Sequence, residues 1–284
     1  MHEVSLPNGV RVPCLGLGTW RMGESRSSHA AEVAAVRLAL ALGYRLVDTA
    51  EMYGDGGAEA VVGEAVRGAE QAREARRADL FLVTKVLPTN ASRKGTVAAC
   101  ERSLRRLGVD FVDLYLLHWR GGHPLAETVA AFESLRERGL IRAWGVSNFN
   151  VDDLNELWNV PNGPHCAANQ VYYSASRRGI EFDLLPALRR RAVVTMAYCP
   201  IDQGALASDP TFAEIGRRLG VSAAQAALAW VMRQPDMIAI PKAGREQHLR
   251  ENLAAAALTL TDRDLATVDA HYAPPKHKQR LAMT

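Results

Sequence analysis

The sequence lacks the features that mark membrane, disulfide-linked and metal-binding proteins. No apolar run approaches the roughly 20 residues that a membrane helix needs, and no basic segment followed by an apolar one opens the chain, so we expect a cytoplasmic protein without membrane contact. His118 and His123 lie five residues apart around a Gly-Gly pair, which fits no helical pair of ligands, so no metal site is expected. The four cysteines show no paired spacing, which favours free thiols; they are Cys14, Cys100, Cys166 and Cys199.

An excess of charge of one sign is also absent. The 284 residues carry a net charge of +3, and the basic residues are scattered, so we expect no nucleic-acid partner. A composition of 48% hydrophobic and 23% charged residues is typical of a globular protein and excludes disorder. Because linkers and low-complexity segments are missing, residues 1–284 are interpreted as a single domain. The expected assembly is a monomer, with an oligomer as the alternative.

Short apolar segments alternate with amphipathic helical segments from residue 15 to about residue 256. The alternation predicts a parallel sheet, and eight strand–helix units predict a closed (β/α)8 TIM barrel. An N-terminal β-hairpin around Pro7-Asn8-Gly9, where Asn-Gly indicates a two-residue turn, precedes the barrel, and a short C-terminal tail, 273–284, follows it. A capping box at Ser222 and Gln225 opens one of the later helices. The predicted strands are 15–17, 44–47, 80–83, 111–117, 141–146, 167–171, 192–197 and 237–240.

Four polar residues fall at the carboxyl ends of successive predicted strands, where the chemistry of such barrels lies. Asp48 ends the second strand and Tyr53 follows in its loop, while Lys85 and His118 come just after the third and fourth strands. Each alone is more typical of a surface or core residue, but together they indicate a site. A phenol has an ordinary pKa of about 10, and a nearby cation lowers it. We therefore interpret Tyr53 as a proton donor.

Motifs in order along nearly the whole chain resemble those of the aldo-keto reductases. The segments 50–59 and 178–186 are similar to a narrower bacterial branch that includes methylglyoxal reductases. The resemblance implies hydride transfer from a nicotinamide cofactor to an aldehyde or ketone. The motifs are Leu17-Gly-Thr-Trp20, Asp48-Thr-Ala-Glu-Met-Tyr53-Gly, Thr84-Lys85, Asp113-Leu-Tyr-Leu-Leu-His118-Trp119, Gly145-Val-Ser-Asn-Phe149, Asn169-Gln170 and Ile240-Pro-Lys242.

The resemblance also implies roles for individual residues. Tyr53 matches the general acid, Lys85 and Asp48 match the pair that tunes it, and His118 matches the residue that orients the substrate carbonyl. The residues expected to contact the substrate are His118 and an apolar wall of Trp20, Met52 and Trp119. The expected cofactor-binding residues are Gly18, Thr19, Trp20, Asp48, Ser147, Asn148, Gln170, Tyr198, Cys199, Pro200, Lys242, Ala243, Gly244, Arg245, His248, Glu251 and Asn252.

The cofactor needs a phosphate-binding device, and the chain lacks the Rossmann fingerprint because no G-x-G-x-x-G follows a strand. The segment from Lys242 to Arg245 follows the last strand and opens a helix, which predicts an anion site. By resemblance this site holds the adenosine 2′-phosphate, so NADPH is expected over NADH. Ala243 and His248 stand where many members of the family carry a Ser and an Arg, which predicts looser discrimination against NADH. Arg245 is expected to compensate for the lost charge.

Alternative readings remain at several positions. Ser147 and Asn148 could cap the helix that starts near Asn150, which is compatible with amide binding because different atoms can serve each role. Glu59 is placed at the start of the second helix, where its charge suits the helix dipole, and Glu51 receives no role. For the whole chain the alternatives are an NADPH-binding regulatory subunit with slow turnover and a lyase that forms a Schiff base on Lys85.

Overall fold

Eight parallel strands form the centre of the protein, whose computed structural model describes residues 2–284. Each of the eight is hydrogen-bonded to the next in chain order, and nearly all of their residues are buried, as is typical of parallel strands covered by helices. The strands are β1 (Glu3–Ser5) and β2 (Arg11–Pro13) of a separate hairpin, and then β3 (Leu17–Gly18), β4 (Leu46–Asp48), β5 (Phe81–Val86), β6 (Val112–Leu117), β7 (Ile141–Ser147), β8 (Ala168–Tyr172), β9 (Val194–Tyr198) and β10 (Met237–Ala239).

A helix follows each of the eight strands and packs its apolar stripe on the sheet. In the second helix this stripe is the predicted one, since Val61, Val62 and Val66 are all buried. The capping box at Ser222 and Gln225 is confirmed at the start of the eighth helix. The helices are α1 (His29–Leu42), α2 (Gly57–Gln71), α3 (Arg93–Leu107), α4 (Leu125–Glu137), α5 (Val151–Trp158), α6 (Leu184–Arg190), α7 (Pro210–Leu219), α8 (Ala223–Met232), α9 (Glu246–Ala255) and α10 (Asp262–His271).

The first and last strands of the sheet meet and close the (β/α)8 barrel that the sequence predicts. Parallel bridges join Leu15 to Ala239 and Gly18 to Lys242. Glycine is required at position 18, because a Cβ there would lie 2.8 Å from the carbonyl oxygen of Ile240. The closure therefore brings the carboxyl end of β3, which leads into the predicted site, beside the segment that opens α9.

The bounds of the predicted strands differ from those in the structure, and the predicted hairpin turn is wrong. The third barrel strand continues to Val86 rather than ending at 83, so Lys85 lies inside β5. The seventh begins at Val194, because Ala192 has a left-handed backbone with φ of +54° and cannot pair as a strand. The hairpin uses a three-residue loop instead of a two-residue turn, with Gly9 at φ of +82° after a turn closed by its N–H to Leu6 O.

The C-terminal tail after α10 lies against the loop that follows β8. Lys278 Nζ is 3.0 Å from Asp152 Oδ2 at the start of α5. A cavity of about 180 Å³ separates the tail from this loop, with Tyr172 and Arg177 on one wall and Arg280 on the other. Among residues 2–284, no helix combines the length and the apolar character needed to cross a membrane.

Candidate active site

The four predicted catalytic residues meet at the carboxyl end of the barrel. Asp48 is the last residue of β4, Lys85 is the fifth of the six residues of β5, and His118 directly follows β6. Tyr53 opens a short turn between β4 and α2. Its ring lies edge-on to the ring of His118, with 5.7 Å between the centroids. The convergence follows from the parallel sheet, since neighbouring parallel strands end at the same rim.

Lys85 is wholly buried and makes three contacts through its ammonium group. Nζ donates to Asp48 Oδ2 at 2.7 Å, to the carbonyl oxygen of Thr49 at 2.8 Å and to the Tyr53 hydroxyl at 3.4 Å. Burial alone would lower the pKa of Lys85, but Asp48 and Tyr53 together outweigh it and raise the pKa above its ordinary value. Lys85 therefore stays charged at neutral pH, which disfavours Schiff-base chemistry because that needs a neutral amine.

The pKa of Tyr53 moves in the opposite direction from the one the sequence suggests. Burial raises it above its ordinary value, and the positive charge of Lys85 opposes only part of the increase, while Asp48 adds to it. Lys85 does lower the pKa of Tyr53, as expected, but this effect is smaller than that of burial. Removing a phenolate from water costs more free energy than one neighbouring cation restores. In the cofactor-free protein Tyr53 is consequently a protonated phenol at neutral pH.

His118 is neutral in this site. Its side chain is buried, and burial together with the Lys85 charge holds its pKa well below the ordinary value. Its Nδ1 atom has no hydrogen-bond partner among residues 2–284. A neutral imidazole has one N–H donor and one acceptor nitrogen, so His118 can orient a polar ligand without competing with Lys85 as a cation.

The predicted amide-binding residues lie beside the catalytic group and are linked to it. Gln170 Nε2 donates to Asp48 Oδ1 at 2.7 Å, and Ser147 Oγ donates to the carbonyl oxygen of Gln170 at 2.9 Å. Asn148 has a left-handed backbone, with φ of +59°, and accepts from the Tyr198 hydroxyl at 2.8 Å. Strain of this kind is typical of ligand-binding sites. The capping alternative is wrong, because Asn150 itself caps α5 through both halves of a capping box.

The segment that opens α9 presents two cations at the same rim. Lys242 pairs with Gly18 across the barrel closure, and Arg245 is the N-cap residue of the helix; both are exposed. Neither side chain belongs to any ion pair within residues 2–284. Arg245 Nη2 lies 3.0 Å from His248 Nε2, so the two residues form one polar pair. Unpaired cations at a helix N-terminus are suited to a phosphate.

The remaining predicted cofactor residues differ in their burial and in their contacts. Thr19 donates its backbone N–H and its hydroxyl to the carbonyl oxygen of Asp48, both at 3.0 Å. Tyr198 lies against the Tyr172 ring at 5.3 Å, and Cys199 after it has φ of +49°. Pro200, Ala243 and Asn252 are buried, Gly244 is exposed, and Glu251 binds Gln247.

The predicted substrate wall is partly solvent-exposed. Trp119 lies 5.0 Å from the His118 ring, and Trp20 is half-buried beneath the guanidinium of Arg21. Met52 is 41% exposed, next to Tyr53 in the chain. An exposed thioether beside a half-buried phenol is suited to contact a ligand rather than the core. The substrate wall stays a prediction.

Comparisons with known proteins agree with this geometry. The sequence model described as the Aldo/keto reductase family matches residues 14–273. Methylglyoxal reductase YeaE of Escherichia coli (strain K12) is 46% identical over 285 residues, covering 99% of this chain and 98% of the relative. The chain belongs to the aldo/keto reductase family.

Other members of this family are similar over most of their length. Glyoxal reductase of Bacillus subtilis (strain 168) is 34% identical, covering 94% of this chain and 91% of the relative. A crystal structure of an aldo/keto reductase from Klebsiella pneumoniae in complex with NADP and acetate has 45% identity and a TM-score of 0.94, with 99% of both chains covered. The predicted family and the (β/α)8 fold are therefore confirmed, and the chain is an oxidoreductase.

Sequence reasoning missed the contacts that hold this aldo/keto reductase site together. The Thr49 carbonyl that binds Lys85 is a backbone atom, so no sequence signal marks it. Glu51 is buried and accepts from the Leu87 N–H at 2.7 Å and from Asn90 at 3.0 Å, which makes it a support for the β5 loop. Glu59 does lie in the first turn of α2, as predicted. It is also fully buried and hydrogen-bonded to side chains of other elements, which the helix dipole alone does not explain.

Proposed function

We propose that this protein reduces small aldehydes and ketones to alcohols with NADPH as the hydride donor. One observation carries the proposal: the Tyr53 hydroxyl lies 3.4 Å from the charged Nζ of a wholly buried lysine. Hydride addition to a carbonyl leaves negative charge on the oxygen, and a positioned acid beside a fixed cation stabilises that charge most. The similar Klebsiella pneumoniae proteins, described in complex with NADP or NADPH, support the cofactor.

The residues of the chain supply the proton and the orientation. Tyr53 donates its O–H proton to the carbonyl oxygen, and Lys85 stabilises the phenolate that remains. Asp48 keeps Lys85 charged, and Gln170 holds Asp48 through its second oxygen. Neutral His118 can donate one N–H to the same carbonyl oxygen and orient it. NADPH, when bound, supplies the hydride.

The residues that would hold NADPH fit its chemistry at both ends. A nicotinamide carboxamide has one acceptor and two donor hydrogens, and Ser147, Asn148 and Gln170 offer both kinds of partner. The Tyr198 ring provides a face for the nicotinamide. At the other end, Lys242 and Arg245 are exposed cations without a carboxylate partner in residues 2–284. We infer that they bind the adenosine 2′-phosphate.

Small dicarbonyl compounds are the substrates that the comparisons favour. The two relatives described as methylglyoxal reductase and glyoxal reductase act, by name, on such compounds. Met52 and Trp119 would contact the substrate at the rim, where the exposure of Met52 leaves room for several small carbonyls. The rate of carbonyl reduction distinguishes the regulatory-subunit alternative from this proposal. A regulatory subunit binds NADPH but does not catalyse many rapid turnovers.

The proposed function is tested by following NADPH oxidation with a panel that contains methylglyoxal, glyoxal and simple aliphatic aldehydes, with NADH in parallel. We expect multiple turnovers with at least the dicarbonyls, with alcohol formed in step with NADPH consumed. Tight NADPH binding without turnover on any carbonyl would contradict the enzyme and favour the regulatory subunit.

Removal of the Lys242 charge tests the phosphate site. We expect Lys242→Ala to raise the KM for NADPH by about 10-fold or more, since a lost charge-assisted hydrogen bond is worth about that factor. The KM for NADH, which has no 2′-phosphate, changes little. Lys94→Ala removes an exposed lysine from the first turn of another helix, α3, and is the matched control. Equal increases for both cofactors would contradict the assignment.

A further inference from the structure

The turn that carries Tyr53 has an unusual backbone. Three consecutive residues after Tyr53 have left-handed φ values: +57° at Gly54, +52° at Asp55 and +87° at Gly56. A left-handed conformation is disfavoured for a residue with a Cβ such as Asp55, and successive residues of this kind persist only when their surroundings impose them. The position of the Tyr53 hydroxyl therefore depends on what contacts this turn from either side.

One side of the turn packs backbone against backbone. A Cβ on Gly54 would lie 2.6 Å from the carbonyl carbon of Gly23, and a Cβ on Gly57 would lie 2.3 Å from the Gly23 oxygen. The loop after β3 thus leaves no space on this side. It limits how far the turn can move away from the barrel rim. Its hydrogen bonds within residues 2–284 reach Asp48 and Glu32, and none joins it to the strand of Lys85.

The other side of the turn contains a partly buried ionic cluster, which we call the Glu59 cluster: Glu59, Thr84 and Arg106. Glu59 lies in the first turn of α2 and is 0% exposed. Its Oε1 accepts from the Thr84 hydroxyl at 2.6 Å, and its Oε2 accepts from Arg106 Nε at 2.6 Å. Thr84 directly precedes Lys85 in β5, so Glu59 connects the helix that follows the turn to the strand that bears the lysine.

Arg106 completes this connection from below the turn. A Cβ on Gly56 would lie 2.5 Å from Arg106 Nε, so the guanidinium fills the space directly beneath the last left-handed residue. The Glu59 cluster therefore lies against the Tyr53 turn through Arg106 and includes Thr84, the residue next to Lys85. A partly buried ion pair is seldom the most stabilising solution for a core, whereas a carboxylate whose two oxygens accept from two different elements is well suited to hold those elements at one distance.

We propose that Glu59 is a positioning residue for catalysis, which holds the Tyr53 turn against β5 and so sets the distance between the Tyr53 hydroxyl and Lys85 Nζ. The inference rests on the proposed function, because it assigns Glu59 a part in the same proton transfer. At 3.4 Å this contact is at the long end of the hydrogen-bond range, and a small outward shift would abolish it. Within residues 2–284, Glu59 makes no hydrogen bond or ion pair with Tyr53 or Lys85, so it acts through Thr84 and Arg106.

The test compares Glu59→Gln with Glu133→Gln at saturating NADPH and dicarbonyl. Glu133 is the matched control, because it is also a buried helical carboxylate bound to an arginine and to a strand side chain: Arg136 Nε at 3.1 Å and Trp144 Nε1 at 2.7 Å. We expect Glu59→Gln to lower kcat by about 10- to 100-fold, as sub-ångström misplacement of a catalytic group does. The Kd for NADPH stays unchanged, and Glu133→Gln keeps kcat.

A pH profile separates positioning from loss of stability. In the direction of alcohol oxidation Tyr53 must lose its proton, so the rate rises with pH. A longer distance from Lys85 weakens the lowering of the Tyr53 pKa, and the rise should move to higher pH in Glu59→Gln. Arg106→Lys keeps the charge but loses the Nε–H that donates to Glu59 Oε2, and it should give an intermediate kcat. This variant also serves if Glu59→Gln does not fold.

The outcomes distinguish the two proposals. If the wild-type protein reduces no carbonyl, the proposed function fails. If the wild-type protein is active but Glu59→Gln keeps its kcat and pH profile, or if Glu133→Gln loses as much kcat, the positioning role fails alone. In a Tyr53→Phe background the substitution Glu59→Gln should cause no further loss, because there is no proton donor left to position; a further loss of the same size would also contradict the inference.

Discussion

Replacing Tyr53 with Phe should lower kcat for carbonyl reduction by about 10²- to 10⁴-fold, the usual contribution of a positioned general acid. Phe keeps the ring that contacts His118 and removes only the hydroxyl that lies 3.4 Å from Lys85 Nζ. NADPH should bind as before, since the expected cofactor contacts come from other residues. The measurement is the steady-state rate at saturating substrate, together with NADPH binding by fluorescence.

A second hydroxyl provides the control for Tyr53→Phe. Tyr44 is fully buried, and its hydroxyl donates to the carbonyl oxygen of Leu249 at 2.9 Å, away from the catalytic group. Tyr44→Phe should cost about 1 kcal/mol of stability, the ordinary contribution of one hydrogen bond, without changing kcat. Near-normal kcat in Tyr53→Phe would show that another group protonates the substrate.

The second large effect is expected from Lys85→Met, which removes the cation and keeps an unbranched side chain that is shorter by one atom. Kcat should fall by about 10²- to 10³-fold, because the charge that forms on oxygen loses its fixed partner in a buried site. Lys85 lowers the pKa of Tyr53, so its removal raises that pKa further. In alcohol oxidation, which needs the deprotonated Tyr53, the rise in rate with pH therefore moves to higher pH.

Lys85→Met also leaves Asp48 buried without its cation, which will destabilise the protein. The double variant Lys85→Met with Asp48→Asn removes both charges and should recover stability without recovering kcat. The losses from Lys85→Met and Tyr53→Phe should not add, since the two groups act as one unit. An unchanged pH profile in a folded Lys85→Met protein would mean that Lys85 does not tune Tyr53.

Much of the fold could be predicted from the sequence because it follows from local patterns. Alternating apolar strands and amphipathic helices specify a parallel sheet, and the strand ends then place Asp48 and His118 without knowledge of distant contacts. Strand ends are less certain: β5 runs through Lys85 to Val86 because its partners in β6 continue to Leu117. Pairing of that kind depends on the neighbouring strand rather than on the segment itself.

The energetics of the site could not be predicted in the same way. A cation beside a phenol suggests a lowered pKa, but the net direction for Tyr53 depends on burial by residues from many parts of the chain. Similarly, Glu59 lies 25 positions from Thr84 and 47 from Arg106, so its partners become visible only when the barrel is formed. Its location at a helix start was predictable, and its connection to the strand of Lys85 was not.

The most direct test uses NADPH that carries deuterium at both C4 positions of the nicotinamide, mixed with methylglyoxal and the wild-type or Tyr53→Phe protein. The product is examined for deuterium on the former carbonyl carbon. We expect deuterated alcohol from the wild-type protein and about 10²- to 10⁴-fold slower formation from Tyr53→Phe. An alcohol without deuterium, or equal rates from the two proteins, would contradict direct hydride transfer assisted by Tyr53.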